Sequence, residues 1–132
     1  MELESFEISV LLSASPEQLY RAWLDGEQHG AFTGAKAEVD ARVGGKFTAW
    51  DGYLWGHTLE LEPDKRIVQS WRTAEFAEDA PDSQIEVRFE AVEGGTKLAL
   101  RHTGLQPGDG EKYEQGWQAS YFAPMLEYFG KG

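Results

Sequence analysis

The sequence predicts an α+β fold in which a curved antiparallel sheet of about six or seven strands wraps around a long C-terminal helix. Three observations support this prediction. Runs of alternating apolar and polar residues follow one another through the chain, separated by turns rich in Gly and Asp. One or two helical segments follow the first run, and an aromatic-rich helix closes the chain. An antiparallel sheet needs one face covered, and this last helix is the longest amphipathic element available.

The first predicted elements are a strand and a helix. In residues 6–12, apolar residues alternate with Glu and Ser, as in a half-buried strand. Ser15 suits the N-cap of the following helix because its hydroxyl can accept a bond from an unpaired backbone N–H. Pro16 suits the first helical position, where no backbone N–H is needed. A second, short helix is expected at about Glu27 to Phe32.

The strands return after this helical region. Asp51 and Gly52 lie between two strand-like runs and predict a hairpin, because both residues tolerate a positive φ. Acidic residues 77–83 predict a mobile loop. Alternation along the later strands predicts four inward-facing sets. These are Trp55, His57, Leu59 and Leu61; Ile67, Gln69 and Trp71; Ile85, Val87, Phe89 and Ala91; and Leu98, Leu100 and His102.

The closing helix is expected over residues 111–129, with Trp117 and Tyr121 among the aromatic residues that face the sheet. Pro124 lies inside this helix. Because proline cannot donate a hydrogen bond to the carbonyl of Ser120, and its ring crowds that turn, we expect the helix to bend there.

The composition restricts the partners and the compartment of the protein. The 132 residues are expected to form one domain, residues 1–132. The formal net charge of −11 repels phosphates and anionic lipids, so neither nucleic acid nor a membrane is an expected partner. The chain contains no cysteine, has no apolar run of transmembrane length, and begins with an acidic segment unlike a secretory signal. These features favour the reducing cytoplasm.

Motifs for metal binding or nucleophilic catalysis do not occur in the sequence. The three histidines, His29, His57 and His102, lack the spacing of a metal-binding pair, and there is no G-x-S-x-G nucleophile turn. We therefore predict no metal, no cofactor and no catalytic residue. The histidines are expected to line a hydrophobic interior.

Large aromatic residues are the candidate ligand-binding groups. They would converge between sheet and helix, where they either fill the space as a dry core or line a cavity, and both interpretations stay open. Gln69 favours the cavity slightly, because a buried amide needs a partner from protein, water or ligand. The candidate pocket residues are Trp50, Trp55, His57, Gln69, Trp71, Phe89, His102, Trp117 and Tyr121.

The order of elements resembles the helix-grip fold of the START and Bet v 1-like (SRPBCC) superfamily. Five segments narrow the resemblance to the family of the C-terminal domain of Aha1, the activator of Hsp90 ATPase. They are SPEQLYRAW, AFTGAKAEV, GGKFTAWDG, LELEPDKRIVQSWR and QGWQASYFAPMLEYFGKG. The similarity runs from Ser15 to Gly130, and it implies a helix-grip fold for nearly the whole chain.

The resemblance implies three possible functions. Stand-alone relatives often bind small molecules, and we expect a non-catalytic binder of a small hydrophobic molecule, with Gln69 and His57 orienting the ligand. The first alternative is a stress-response protein that binds an Hsp90-type chaperone. The co-chaperone's principal activating domain has no counterpart here, so weak or no ATPase stimulation is expected. The second alternative is a cyclase- or hydrolase-like enzyme, which is disfavoured because alternation predicts no inward-facing acid.

Overall fold

The computed structural model describes residues 3–130 and contains a seven-stranded antiparallel sheet with helices on one face, which confirms the predicted α+β class. The elements in chain order are β1 (Glu4–Leu12), α1 (Pro16–Leu24), α2 (Gly26–Thr33), β2 (Glu38–Val39), β3 (Lys46–Ala49), β4 (Leu54–Glu62), β5 (Arg66–Thr73), β6 (Ser83–Val92), β7 (Gly95–Leu105), α3 (Asp109–Trp117), a π-helical turn (Gln118–Phe122) and α4 (Ala123–Phe129).

The sheet is a meander that the first strand completes. Its order is β1-β7-β6-β5-β4-β3-β2, and each neighbouring pair is antiparallel. Leu100 of β7 lies opposite Val87 of β6 on one side and opposite Ile8 of β1 on the other. Because side chains on paired strands share a face, these apolar positions form one continuous surface. The helices cover that surface, and the hydrophobic core lies between them and the sheet.

The two helices between β1 and β2 begin where the sequence predicts. The Ser15 hydroxyl oxygen accepts a bond of 3.1 Å from the backbone N–H of Gln18, and Asp25 caps α2 through the N–H of Glu27 at 3.0 Å. α1 buries its apolar face, including Trp23 at 2% exposure, against the core. The predicted second short helix is confirmed as α2.

The Asp51–Gly52 hairpin prediction is confirmed, because these residues join β3 to β4 with φ values of 57° and 89°. Trp50 also has a positive φ, 54°, although it is a bulky residue. Asp51 further accepts a bond of 3.0 Å from the backbone N–H of Lys36 through its carboxylate. The hairpin is therefore tied to the segment that follows α2.

The predicted inward face of β4 is wrong. Leu54, Gly56 and Thr58 are buried, so Trp55 and His57 lie on the outer face of the sheet. Leu59 continues this outward set and is exposed, and a register shift between Thr58 and Glu60 then brings Leu61 against the core. Strict alternation puts Trp55, His57 and Leu59 on the face of Leu61, but the bulge breaks that period before Leu61. Ala91 was also expected to face inward and is exposed near the β6–β7 turn.

The C-terminal helical segment spans 109–129 and is distorted beside Pro124. In the π-helical turn that precedes this proline, the backbone N–H of Ala123 donates to the carbonyl of Gln118, five residues earlier. A π-helical turn is one way in which a helix accommodates an interrupted hydrogen-bond ladder. The distortion lies where the proline predicts one, and it places Tyr121 and Phe122 inside the core.

The acidic segment predicted as a mobile loop is organised around one arginine. The guanidinium of Arg72 donates to the carbonyls of Ala77 and Ala80 at 2.8 and 2.6 Å, and it pairs with Asp82 at 3.0 Å. Arg72 also lies over the ring of Phe76 at 5.5 Å. The sequence showed the loop, but it did not show that a strand residue holds it.

The same substitution at two glycines should have opposite effects on stability. A Cβ atom at Gly56 would lie 1.9 Å from the Ser70 carbonyl oxygen, whereas one at helical Gly116 would meet no atom within 4 Å. We expect Gly56→Ala to lower the free energy of unfolding by about 1–3 kcal/mol through overpacking. Gly116→Ala should raise it by about 0.5–1 kcal/mol, because alanine has the better helix propensity. Urea denaturation of both variants measures this, and changes of the same sign would contradict it.

Candidate functional site

A cavity of about 340 Å³ lies between the C-terminal helical segment and the side of the sheet formed by the β3–β4 hairpin, β4 and β5. Six of its lining residues are aromatic: Trp50, Tyr53, Trp71, Tyr113, Trp117 and Tyr121. The remaining wall is formed by Leu54, Lys112, Gly116 and Ser120. Small-molecule sites typically measure about 300–1,000 Å³ and combine apolar walls with a few polar groups. The cavity therefore falls at the small end of that range.

The buried indole N–H groups fall into two classes. Trp23 donates to the Gln69 side-chain oxygen at 3.2 Å, and Trp117 donates to Nδ1 of His102 at 2.9 Å. The indole nitrogens of Trp50 and Trp71 are also buried, but neither finds a hydrogen-bond acceptor among residues 3–130. Burial of a polar group without a partner costs free energy, so native interiors rarely contain one. Both unpaired donors belong to residues that line the cavity.

Trp50 combines this unpaired donor with an unfavourable backbone conformation. Its φ of 54° lies in the left-handed region, which is uncommon for a bulky side chain. Residues held in sparsely populated conformations are found disproportionately at ligand sites, where the surrounding structure fixes them. The hairpin geometry thus places a large aromatic ring at the cavity wall at some cost in stability.

His102 connects the C-terminal helix to two strands through a chain of hydrogen bonds. Its Nδ1 accepts from Trp117, so the ring proton is on Nε2, which donates to the Ser83 hydroxyl at 2.8 Å. Ser83 in turn donates to the Trp71 carbonyl at 3.0 Å. Burial lowers the pKa of His102 to about 3 and keeps the ring neutral. A second ring proton would face the Trp117 N–H, so the chain requires this neutral form.

A second buried histidine connects α2 to the helix that borders the cavity. His29 Nδ1 donates to the Trp23 carbonyl at 2.9 Å, so Nε2 accepts from the Tyr121 hydroxyl at 2.7 Å. Burial lowers the pKa of His29 to about 4 and raises that of the Tyr121 hydroxyl. Both groups are therefore neutral near pH 7, and they hold the Tyr121 ring at the cavity wall.

The exposed end of the cavity carries the charged groups. Lys112 Nζ lies 2.7 Å from Glu75 Oε1, and the Tyr53 hydroxyl donates to the other oxygen of the same carboxylate. The bond from Lys112, followed by that from Tyr53, lowers the pKa of Glu75. Close by, the Tyr113 hydroxyl lies 2.9 Å from Thr73 Oγ1. The one cationic side chain of the cavity wall is therefore already paired.

Four of the nine candidate pocket residues line the cavity: Trp50, Trp71, Trp117 and Tyr121. Phe89 and His102 are buried in the core elsewhere along the sheet. Gln69 is 1% exposed, and its amide is bonded within the protein, to Trp23 and to Thr58 at 3.2 Å. The Gln69 amide therefore has partners within the protein and is no longer an argument for a pocket. Trp55 and His57 lie on the outer face and do not contribute to the cavity.

Three further lining residues, Tyr53, Lys112 and Tyr113, are not among the candidates predicted from the sequence. Tyr113 could have been found, because positions 113, 117 and 121 repeat every four residues and share one helix face. Lys112 is adjacent to that stripe and carries no signal of its own. Tyr53 follows the hairpin turn, and no periodicity indicates where its side chain points.

Two other kinds of site are not found in the described part of the chain. Across residues 3–130, no three His, Asp or Glu side chains lie together as metal ligands would. No helix within that range is both long and apolar enough to cross a membrane.

The fold is that of a helix-grip protein of the Bet v 1-like kind. Residues 13–130 match the family model described as Activator of Hsp90 ATPase homolog 1-like protein, and the chain belongs to this family. The family resemblance inferred from the sequence is therefore confirmed. A human relative, Activator of 90 kDa heat shock protein ATPase homolog 1, is 37% identical over 118 residues. That match covers 89% of this chain and 35% of the human protein, so the chain spans about a third of its length.

Solved structures show the same relationship. The chain is similar to PFC0360w, an HSP90 activator from Plasmodium falciparum, with a TM-score of 0.86 and 29% identity over 97% of both chains. CalU16 from Micromonospora echinospora has a TM-score of 0.79 and 26% identity over 97% of this chain and 76% of CalU16. Ara h 8.0201, at 17% identity and a TM-score of 0.73, shares the fold alone.

The two buried histidines should make stability depend on pH. The pKa values of His29 and His102, about 4 and about 3, lie below the ordinary 6.5. Between pH 6.5 and these lowered values, the unfolded chain therefore binds more protons than the folded protein. Stability is then greatest above pH 6.5, and it falls with acidification by up to about 1.4 kcal/mol per pH unit for each histidine. His102→Gln should flatten this dependence in urea denaturation between pH 7 and 5. His57→Gln, at an exposed position, is the control, and an unchanged slope for His102→Gln would refute the assignment.

Proposed function

We propose that this protein binds a small apolar molecule in the cavity between sheet and C-terminal helix. The observation that carries the proposal is the cavity itself, about 340 Å³ in volume and walled mainly by aromatic rings. An engineered apolar cavity of roughly 150 Å³ in another protein already binds benzene. A cavity of this size therefore suits a molecule of one or two rings.

The walls come from elements that the rest of the fold holds in place. Trp50 belongs to the hairpin, Trp71 to β5, and Trp117 and Tyr121 to the helical segment. The helical side is fixed by the bonds from Trp117 to His102 and from Tyr121 to His29. A preformed cavity binds with less loss of conformational entropy than one that must be assembled. The fixed position of the walls thus supports a ligand-binding cavity rather than a loosely packed core.

The chemistry of the wall supports binding rather than catalysis. No Asp, Glu or His side chain is among the lining residues, and both buried histidines are engaged in neutral hydrogen-bond chains. General acid–base catalysis of the cyclase or hydrolase type normally needs such a group within reach of the substrate. The enzyme alternative has less support from the residues that surround the cavity.

Filling the cavity should abolish ligand binding without unfolding the protein. Gly116 lines the cavity, and a Cβ atom there would meet nothing within 4 Å, so Gly116→Leu should occupy the space. We expect titration with 2-acetylnaphthalene to change tryptophan fluorescence in the wild type, and Gly116→Leu to weaken binding at least about tenfold. Gln115→Leu adds the same side chain at an exposed position of the same helix and should bind normally. Equal affinities for all three proteins would count against the cavity as the site.

Contact with an Hsp90-type chaperone is the second candidate function. The observation in its favour is the match to relatives named as Hsp90 activators, at 37% identity for the human protein. The match covers about a third of the human protein but 97% of PFC0360w, which is also named an HSP90 activator. Similarity at positions that build a fold nevertheless supports a shared fold more than a shared partner. The chaperone role therefore ranks below ligand binding.

The isolated 132-residue chain should leave the ATPase rate of an Hsp90-type chaperone at its basal value. About two-thirds of the human activator's length has no counterpart in the matched region, which removes most of its surface from the comparison. A steady-state ATPase assay with increasing chain concentration measures this. Stimulation of several fold would reverse the order of the two candidate functions.

A further inference from the structure

We infer that Glu75 is a latch at the mouth of this cavity: its carboxylate holds the side chains of Tyr53 and Lys112 at the opening, and a ligand enters or leaves when these two contacts break. This inference rests on the proposed function and adds the route of entry and the residue that controls it. It depends on where the cavity reaches the surface, and on which parts of its wall can move.

The cavity reaches the surface beside Tyr53 and Lys112. Among the ten wall residues these two are exposed, whereas five are buried and three are half-buried. Tyr53 comes from the turn between β3 and β4, and Lys112 comes from α3, so they belong to the two sides between which the cavity lies. A ligand that passes from solvent to the buried part of the wall therefore has its most direct path beside these side chains.

Glu75 joins the two sides of this opening, although it lies outside the ten wall residues. One of its carboxylate oxygens accepts from Lys112 Nζ at 2.7 Å, and the other accepts from the Tyr53 hydroxyl. The backbone N–H of Glu75 donates to Thr73 Oγ1 at 3.1 Å, which fixes the residue next to the end of β5. The carboxylate therefore stands on a fixed base and holds one side chain from each side of the mouth.

The parts of the mouth that move are side chains and not the helix. α3 is attached to the sheet independently of Glu75, because the Tyr113 hydroxyl lies 2.9 Å from Thr73 Oγ1 and the Trp117 indole is bonded to β7. Loss of the Glu75 contacts leaves both attachments in place. The side chains of Lys112 and Glu75 are 47% and 49% exposed, so they have room to swing into solvent. Opening the latch thus widens the mouth without unfolding α3.

The exposure of the Lys112–Glu75 pair also sets the strength of the latch. Exposed ion pairs are weak, because water competes for both charges and dissolved ions screen them. A latch of this kind slows the exchange of ligand by a few fold and does not prevent it. Its strength should also depend on the salt concentration.

Stopped-flow tryptophan fluorescence with the neutral probe 2-acetylnaphthalene measures the latch. We expect Glu75→Ala to raise the association and dissociation rate constants by about threefold each and to leave Kd within about twofold, because the wall itself is unchanged. The probe carries no charge, so loss of an acidic residue does not alter its long-range attraction to the protein. Tyr53→Phe keeps the ring but frees it from the carboxylate, and it should also raise both rate constants. Glu78→Ala removes an exposed acid from the same loop and should keep the wild-type rates.

Salt provides a second readout, which a merely structural role of Glu75 would not move. Raising NaCl from about 0.01 M to about 1 M shortens the Debye length from about 30 Å to about 3 Å and weakens the pair between Glu75 and Lys112. The ratio of the association rate constants of Glu75→Ala and wild type should then fall from about threefold towards one. Because salting out of the probe acts equally on both proteins, this ratio reports the ion pair.

The outcomes distinguish this inference from the function on which it rests. Equal rate constants for Glu75→Ala and wild type at low salt would overturn the latch while leaving a ligand cavity in place. A faster dissociation with a weaker Kd and an unchanged association rate would overturn it in favour of a structural role for Glu75. No fluorescence response of the wild type to the probe would refute the proposed function and the inference together.

Discussion

The hydrogen bond from the Trp117 indole to His102 is the interaction around which the interior is arranged. It joins the C-terminal helix to β7, and it requires a neutral histidine with its proton on Nε2. That proton is donated to Ser83 on β6, which donates to the carbonyl of Trp71 on β5. One chain of bonds thus crosses three adjacent strands and fixes the helix against them. The low pKa of His102 follows from its burial. The direction of the bonds follows from the Trp117 indole, which can only donate and so leaves the single ring proton on Nε2.

The buried indole N–H groups form a paired set, Trp23 and Trp117, and an unpaired set, Trp50 and Trp71. Where Trp23 and Trp117 pack together, at 6.2 Å between ring centroids, each indole has an acceptor supplied by the sheet. Towards the hairpin, the indoles of Trp50 and Trp71 border the cavity without one. A fold that satisfies two of its indoles with dedicated polar residues has the means to satisfy all of them. The two exceptions are therefore the buried donors that the described protein leaves unpaired, and both belong to residues that border the cavity.

Much of the fold could be predicted from the sequence because its signals are local. Caps, turn residues and alternation located α1, α2, the β3–β4 hairpin and the faces of β5 and β7. The face of β4 could not be predicted, since the bulge after Thr58 shifts the period by one residue. The site was predicted only in part for a related reason. Whether Gln69 or Trp71 has a hydrogen-bond partner depends on side chains distant in sequence, which no periodicity reports.

Hydrogen exchange of the individual indole N–H groups in the ligand-free protein tests the division of the interior most directly. Each of the five tryptophans gives its own signal, and Trp55, half-buried on the outer face, provides a reference outside the core. The N–H groups of Trp23 and Trp117 should exchange only through global unfolding, because both are bonded inside the core. Those of Trp50 and Trp71 should exchange at least about a hundredfold faster, through local opening at the cavity. Equal protection of all four buried indoles would contradict an open cavity beside a sealed core.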